Sequence, residues 1–167
     1  LSNAIYSQNF SVSSQDATPQ DVIFNNDGTK MFVLGDSNND IFEYNLSTGF
    51  DVSSASYSQN FSLDSQETGP FGVAFNTDGT KMFIVGADGN VYYYSLSTGF
   101  DVSTLSYQSS FSVSSQTTYP TGITFNTDGT SMFIVTSNED KVFQYTLTTG
   151  FDISTASYSS KSFSTSS

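Results

Sequence analysis

The sequence contains no cysteine, no histidine, no tryptophan and no arginine. Without cysteine there is no disulfide framework, no thiol nucleophile and no thiolate metal site. Without histidine the commonest general base, the commonest transition-metal ligand and the Ser-His-Asp triad are gone. Basic charge is scarce: Lys30, Lys81, Lys141 and Lys161 stand against 16 acidic residues, for a net charge of -12. So acidic a surface repels phosphate backbones, which excludes nucleic acid as an expected partner and disfavours anionic membrane surfaces. No apolar run approaches the ~20 residues of a membrane span, so no membrane insertion is expected. What fills the chain instead is Ser, Thr, Asn, Tyr and Phe. That style is common in extracellular and virion-surface β proteins, and it sets the expected location.

The chain repeats itself, and a period of this size organises everything else. "FNNDGTKMF" at 24–32 returns as "FNTDGTKMF" at 75–83 and "FNTDGTSMF" at 125–133. The three prolines, Pro19, Pro70 and Pro120, keep the same spacing of 51 and 50 residues. "STGFDVS" starts at Ser47 and Ser97, and "TTGFDIS" at Thr148. "YSQNF" begins at Tyr6 and Tyr57, and "YQSSF" at Tyr107. The opening "LSNAIYSQNF" therefore matches the end of a repeat, "VSSASYSQNF" at 52–61. The closing "SYSSKSF" matches it again, with one extra residue between Tyr158 and Phe163.

Each repeat reads as four short antiparallel strands. In the second, "PFGVAF" (70–75), "KMFIVG" (81–86), "NVYYYSL" (90–96) and "SYQSSFSV" (106–113) are strand segments. Turn signals separate them: "NTDG", "ADG", "STGFD" and "SSQETG". The middle strands are apolar throughout, which suits a sheet covered on both faces. No segment has a sustained helical period. The predicted division is residues 1–13 as an extra outer strand, then units 14–63, 64–113 and 114–167.

A four-stranded unit that must be covered on both faces is the blade of a β-propeller. The pattern P-x-G-[VI]-x-F-x-x-D-G-T-x-M-F-[IV], carried by Pro70, Gly72, Phe75, Asp78, Gly79, Met82 and Phe83, resembles NHL/YVTN-type, lactonase-like propeller repeats. The likeness covers essentially the whole chain. The first repeat departs from it, with Asp21 where the others have Gly72 and Gly122. The expected fold is all-β, three blades per chain; a linear β-solenoid is the alternative.

Three blades cannot close a ring, since propellers typically carry 4 to 8. Two copies would give six blades with two-fold symmetry, and three copies nine. The remaining alternative is a piece of a longer propeller. Labelling the strands a to d from the channel outward, the sequence reads d-abcd-abcd-abcd. One d copy is surplus. The expectation is homo-oligomerisation through blade faces, a six-bladed dimer first, with residues 4–13 exchanged into a partner's third blade in place of 157–167. The extra residue near Lys161 would force a bulge in the competing strand.

The Asn-x-Asp-Gly-Thr phrases lack the alternate ligands and the final bidentate Glu of a calcium loop. They read as hairpin turns, with Gly at positive φ and Asp bonding nearby amides. Function is sought instead where the repeats differ, on the face formed by the d–a and b–c loops. The candidates there are Asp21, Asp36, Asp40, Phe71, Asp88, Tyr119, Glu139 and Asp140. Aromatic rings beside Asp and Asn suit a sugar ring and its hydroxyls. Acidic loops can also hold Ca²⁺, although no cofactor is required. The leading expectation is a non-catalytic binding or structural module recognising carbohydrate or protein. The alternative that the resemblance implies is a lactonase-like metal-dependent hydrolase.

Overall fold

The computed structural model describes residues 5–165, so the first four residues of the predicted extra strand lie outside it. Among the described residues, twelve strands form three separate antiparallel sheets in sequential order. Blade 1 holds β1 (Pro19–Phe24), β2 (Lys30–Gly35), β3 (Asp40–Leu46) and β4 (Ala55–Ser62). Blade 2 holds β5 (Pro70–Phe75), β6 (Lys81–Gly86), β7 (Asn90–Leu96) and β8 (Leu105–Ser112). Blade 3 holds β9 (Pro120–Phe125), β10 (Ser131–Thr136), β11 (Lys141–Leu147) and β12 (Ala156–Ser164). The inner strands β1, β5 and β9 lie side by side, and this arrangement is a three-bladed arc of a β-propeller.

The repeated phrase is a joint. Gly28, Gly79 and Gly129 all take φ +72°, which a side chain would resist. Asp78 Oδ1 accepts from the Thr80 amide at 3.0 Å and from its hydroxyl at 2.6 Å. Asp27 and Asp128 do the same with Thr29 and Thr130. These bonds hold all three carboxyls below their ordinary range, the threonine hydroxyl being the largest cause.

The second phrase differs from the first in one detail. The positive φ falls on the aromatic, Phe50, Phe100 and Phe151, at 60°, 58° and 56°. The glycine before it is needed for space: a Cβ on Gly99 would lie 2.4 Å from the Asp78 carbonyl oxygen. The strained phenylalanine ring lies flat on the hairpin glycine, so that a Cβ on Gly79 would meet the Phe100 ring at 2.3 Å. Asp51, Asp101 and Asp152 then cap a single 3₁₀ turn, each accepting the amide two residues on. The two phrases thus grip each other within every blade.

Blades pack face to face. Phe32, Leu34, Ile41 and Leu63 of blade 1 meet Met82, Ile84, Tyr94 and Leu96 of blade 2. Phe83, Val85, Val91 and Val113 of blade 2 repeat the contact on Met132, Ile134, Tyr145 and Leu147 of blade 3. Burying one such side chain is worth about 1.5–3 kcal/mol, so each junction outweighs any single turn. The polar seam changes from one junction to the next. Between blades 1 and 2, Lys30 Nζ reaches Glu43 Oε1 at 2.7 Å and the Phe100 carbonyl at 2.8 Å. Glu43 Oε2 accepts the Val102 amide at 3.1 Å and Gln59 at 2.9 Å. Between blades 2 and 3, Lys81 reaches the Phe151 carbonyl at 3.0 Å and lies 5.5 Å from the centre of the Tyr93 ring, which replaces Glu43.

Candidate functional site at the channel mouth

The three inner strands converge because their residues leave room. A Cβ on Gly72 would stand 2.7 Å from the Gly122 Cα, so β5 and β9 approach backbone to backbone. Asp21 holds the equivalent position in β1 and fills the gap by bonding. Its Oδ2 accepts the Val73 amide of blade 2 at 3.0 Å, and its Oδ1 the Val22 amide at 2.8 Å. Asp21 is therefore a bridge between blades 1 and 2, with both oxygens engaged.

Beside this bridge opens a hollow of about 400 Å³, lined by Gln20, Asp21, Phe71, Thr121, Ile123 and Val135 among others. Phe71 is one of its walls, and the Tyr119 ring, itself outside the lining, lies 5.0 Å from the Phe71 ring at 44°. Two of the sequence candidates, Asp21 and Phe71, are thus brought to one hollow, with Tyr119 packed against Phe71. Gln20, which sequence reasoning did not single out, joins them. Its signal was available: it is the residue that Phe71 and Thr121 replace in the other blades.

The other candidates are dispersed. Asp40 is buried at the start of β3, where Asn60 donates to it at 2.6 Å. Glu139 accepts the Thr136 hydroxyl at 2.5 Å, the largest cause of its lowered pKa. Asp140 takes φ 49° at the head of β11, and Asp36 donates its amide to the Thr18 carbonyl at the d–a loop. Asp88 belongs to a separate group. Its carboxylate accepts from Tyr92 and from Asn90. Burial works to raise its pKa, but those hydrogen bonds outweigh it and leave the carboxyl below the ordinary range.

Opposite Asp88 stands Glu67, which the sequence reading quoted only as part of a turn. Glu67 is 3% exposed. Its Oε1 accepts the Gly69 amide at 2.9 Å, while Oε2 has no donor to accept from. Burial, and then the Asp88 charge, push its pKa up to about 7. The carboxyl lies over Gly86, where a Cβ would come within 2.5 Å of it. Asp16 lies over Gly35 in blade 1 in the same way, and in blade 3 both partners become threonines, Thr117 and Thr136, bonded at 2.9 Å. This pocket under the d–a loop is filled by a matched pair in every blade.

A metal ion does not fit the mouth. Asp21 is the one carboxylate among the residues lining the hollow, and backbone amides already occupy both its oxygens. Among the described residues no group of three or more Asp and Glu side chains is placed to hold a cation.

No protein-family model matches the chain and no curated protein sequence matches it. Solved structures do. A protein assigned as a 6-phosphogluconolactonase from Bacteroides fragilis superposes with TM-score 0.63 at 13% identity, over 87% of this chain and 39% of its own. The periplasmic gluconolactonase of Pseudomonas aeruginosa gives 0.57 at 16%, over 87% and 38%. A β-propeller domain from Myceliophteria thermophila gives 0.58 at 9%, over 87% and 42%. The chain spans about two-fifths of the length of these structures. They correct one expectation, that the protein is not an enzyme, because structures that bear lactonase names share this fold over most of the chain. Lacking histidine and cysteine removes particular catalysts and does not remove the lactonase class. What the likeness establishes is the architecture: the chain is three consecutive blades with the β-propeller fold.

Proposed function

We propose that the channel mouth takes a small, uncharged, sugar-derived ligand, with sugar lactones the first class to assay. The observation that carries this reading is the Phe71 ring, packed against Tyr119, lining a hollow together with Gln20 and Asp21. Aromatic faces match the C–H faces of a sugar ring, and amide and hydroxyl groups match its hydroxyls. The gluconolactonase names of similar folds point to the same chemistry. A net charge of -12 favours neutral gluconolactone over its phosphorylated form.

The test is a pH-stat assay of gluconolactone opening, paired with calorimetric titration of gluconolactone and of gluconate. Measurable binding or turnover is expected, with Phe71→Ala weakening it about tenfold or more, since one stacking contact is worth on the order of 1 kcal/mol or more, and Tyr119→Ala, which removes the ring packed against Phe71, weakening it less. Neither binding nor turnover by the unmodified protein, at millimolar ligand, overturns the reading.

A further inference from the structure

Residues 5–13 form no strand within the chain, yet they occupy a defined place. Phe10 meets Tyr44 edge-on at 5.6 Å and 79°. Phe61 of β4 meets Tyr94 at 5.9 Å and 78°, and Phe111 of β8 meets Tyr145 at 5.8 Å and 87°. Gln8 donates to Asp51 Oδ1 at 2.6 Å, as Gln59 donates to Asp101 Oδ1 at 2.8 Å. Val12 packs on blade 1 where Leu63 packs on blade 2. Each contact is one that a blade's outer strand makes with the blade after it. The segment therefore lies as the outer strand of a blade that would precede blade 1.

Blade 3 offers the complementary vacancy. Its outer side carries Phe133, Val135 and Val142, the equivalents of Phe83, Val85 and Val91 that blade 2 buries completely against blade 3; the same three residues form one wall of the hollow beside Asp21, so a blade docking here closes that side of it. At the two internal seams Lys30 and Lys81 reach carbonyls of the next blade. Blade 3 has Ser131 in place of that lysine and Gln144 in place of Glu43. Lysine and glutamate are lost together, so a blade docking here buries no unpaired charge.

The strand now completing blade 3 fits poorly. Between Tyr158 and Lys161 β12 skips one residue more than β4 and β8 do, and Ser160 takes φ 56° to allow it. Phe163 is left 72% exposed where Phe61 and Phe111 are half-buried. Lys161 stands opposite Gln144, where β4 presents Gln59 to Glu43. Residues 5–13 carry none of these faults.

From these observations we infer that the outer face of blade 3 receives blade 1 of a second copy of this chain, whose residues 5–13 replace β12 as that blade's outer strand. Done twice about a two-fold axis, this closes a six-bladed ring through two junctions of the kind already present inside the chain. The contacts of Phe10 and Gln8 with their own blade 1 are kept; the new ones lie along β11 of the partner. The register follows from the repeats. Ser62 opposes Asp40 and Ser164 opposes Lys141, so Ser11 comes to oppose Lys141 across the chain boundary.

The mass of the full chain in solution, by sedimentation at tens of micromolar, is expected to be that of two chains. The Ser11→Cys/Lys141→Cys variant, in a protein otherwise free of thiols, is expected to form an intermolecular disulfide on mild oxidation. Lys141→Cys/Ser164→Cys is the control that reports β12 still in place, through an intramolecular bridge. A monomeric mass overturns the inference. So does a dimer in which the first pair stays reduced while the control closes, because blade 3 then keeps its own strand.

Discussion

Val85 and Val135 hold the same position in β6 and β10, and they are 0% and 39% exposed. Phe83 and Phe133 differ likewise, the first fully buried and the second only in part. Nothing in the local sequence separates them: "MFIV" appears in both strands. What differs is the next blade. The comparison teaches that these residues are core or surface according to the neighbour supplied, so a repeat protein's core is a property of its junctions.

Charge is the sharpest way to break that comparison. Val85→Asp should cost about 3 kcal/mol or more, because an unpaired carboxylate would be trapped between two blades. Val135→Asp should cost under about 1 kcal/mol in the separated monomer. Denaturant titration at low protein concentration measures both, and the same Val135→Asp chain should fail to dimerise at high concentration. Equal costs would mean that β10 is covered in the monomer.

Acidity distinguishes blade 2 from its neighbours next. Glu67 has a folded pKa of about 7 against an ordinary value of 4.5. A raised acid favours the folded state in its protonated form, so its contribution is full below pH ~4.5 and is lost as pH rises through about 7. The shift corresponds to about 3 kcal/mol at most. Stability should fall between pH 5 and pH 8, and Glu67→Gln should flatten that fall. The Asp–Thr turns act oppositely, through lowered carboxyls that lose their bonds only in acid. A pH series of thermal melts separates the two groups.

The seams come third. Lys30→Ala strips the cation from Glu43, which is 1% exposed, and should cost about 2 kcal/mol. Lys81→Ala removes an ammonium lying over Tyr93 and should cost about 0.5–1 kcal/mol. Chemical denaturation of the two variants side by side checks the order. Smallest is the joint itself: Asp78→Ala removes one exposed capping carboxylate and should lower the melting temperature by no more than about 1–2 °C.

Much of this fold was legible because each strand was written three times. The period located the prolines, the hairpins and the d–a loops, and β5, β6 and β7 begin and end where the sequence places them. The bulge of β12 was legible too, as an extra residue beside Lys161. The site was less so. Phe71 and Asp21 converge because inner strands meet around a channel, and that follows from the fold class. Glu67 and its pairing with Asp88 were hidden, since "SQETG" and "GADGN" both read as turns and nothing local says that they face each other. The positive φ of Phe100 was hidden for the opposite reason: the glycine beside it gave a simpler explanation of the turn.

The grip between each hairpin glycine and its phenylalanine also says where such a chain can be cut and rejoined. Gly79 and Phe100 lie within one blade, as do Gly28 with Phe50 and Gly129 with Phe151. A crossover falling between them would join a glycine to a stranger's ring. One falling in the d–a loop, just before Pro70 or Pro120, separates no such couple. Unequal recombination at those prolines adds or deletes an intact module, so the number of blades is free to drift while each blade stays whole.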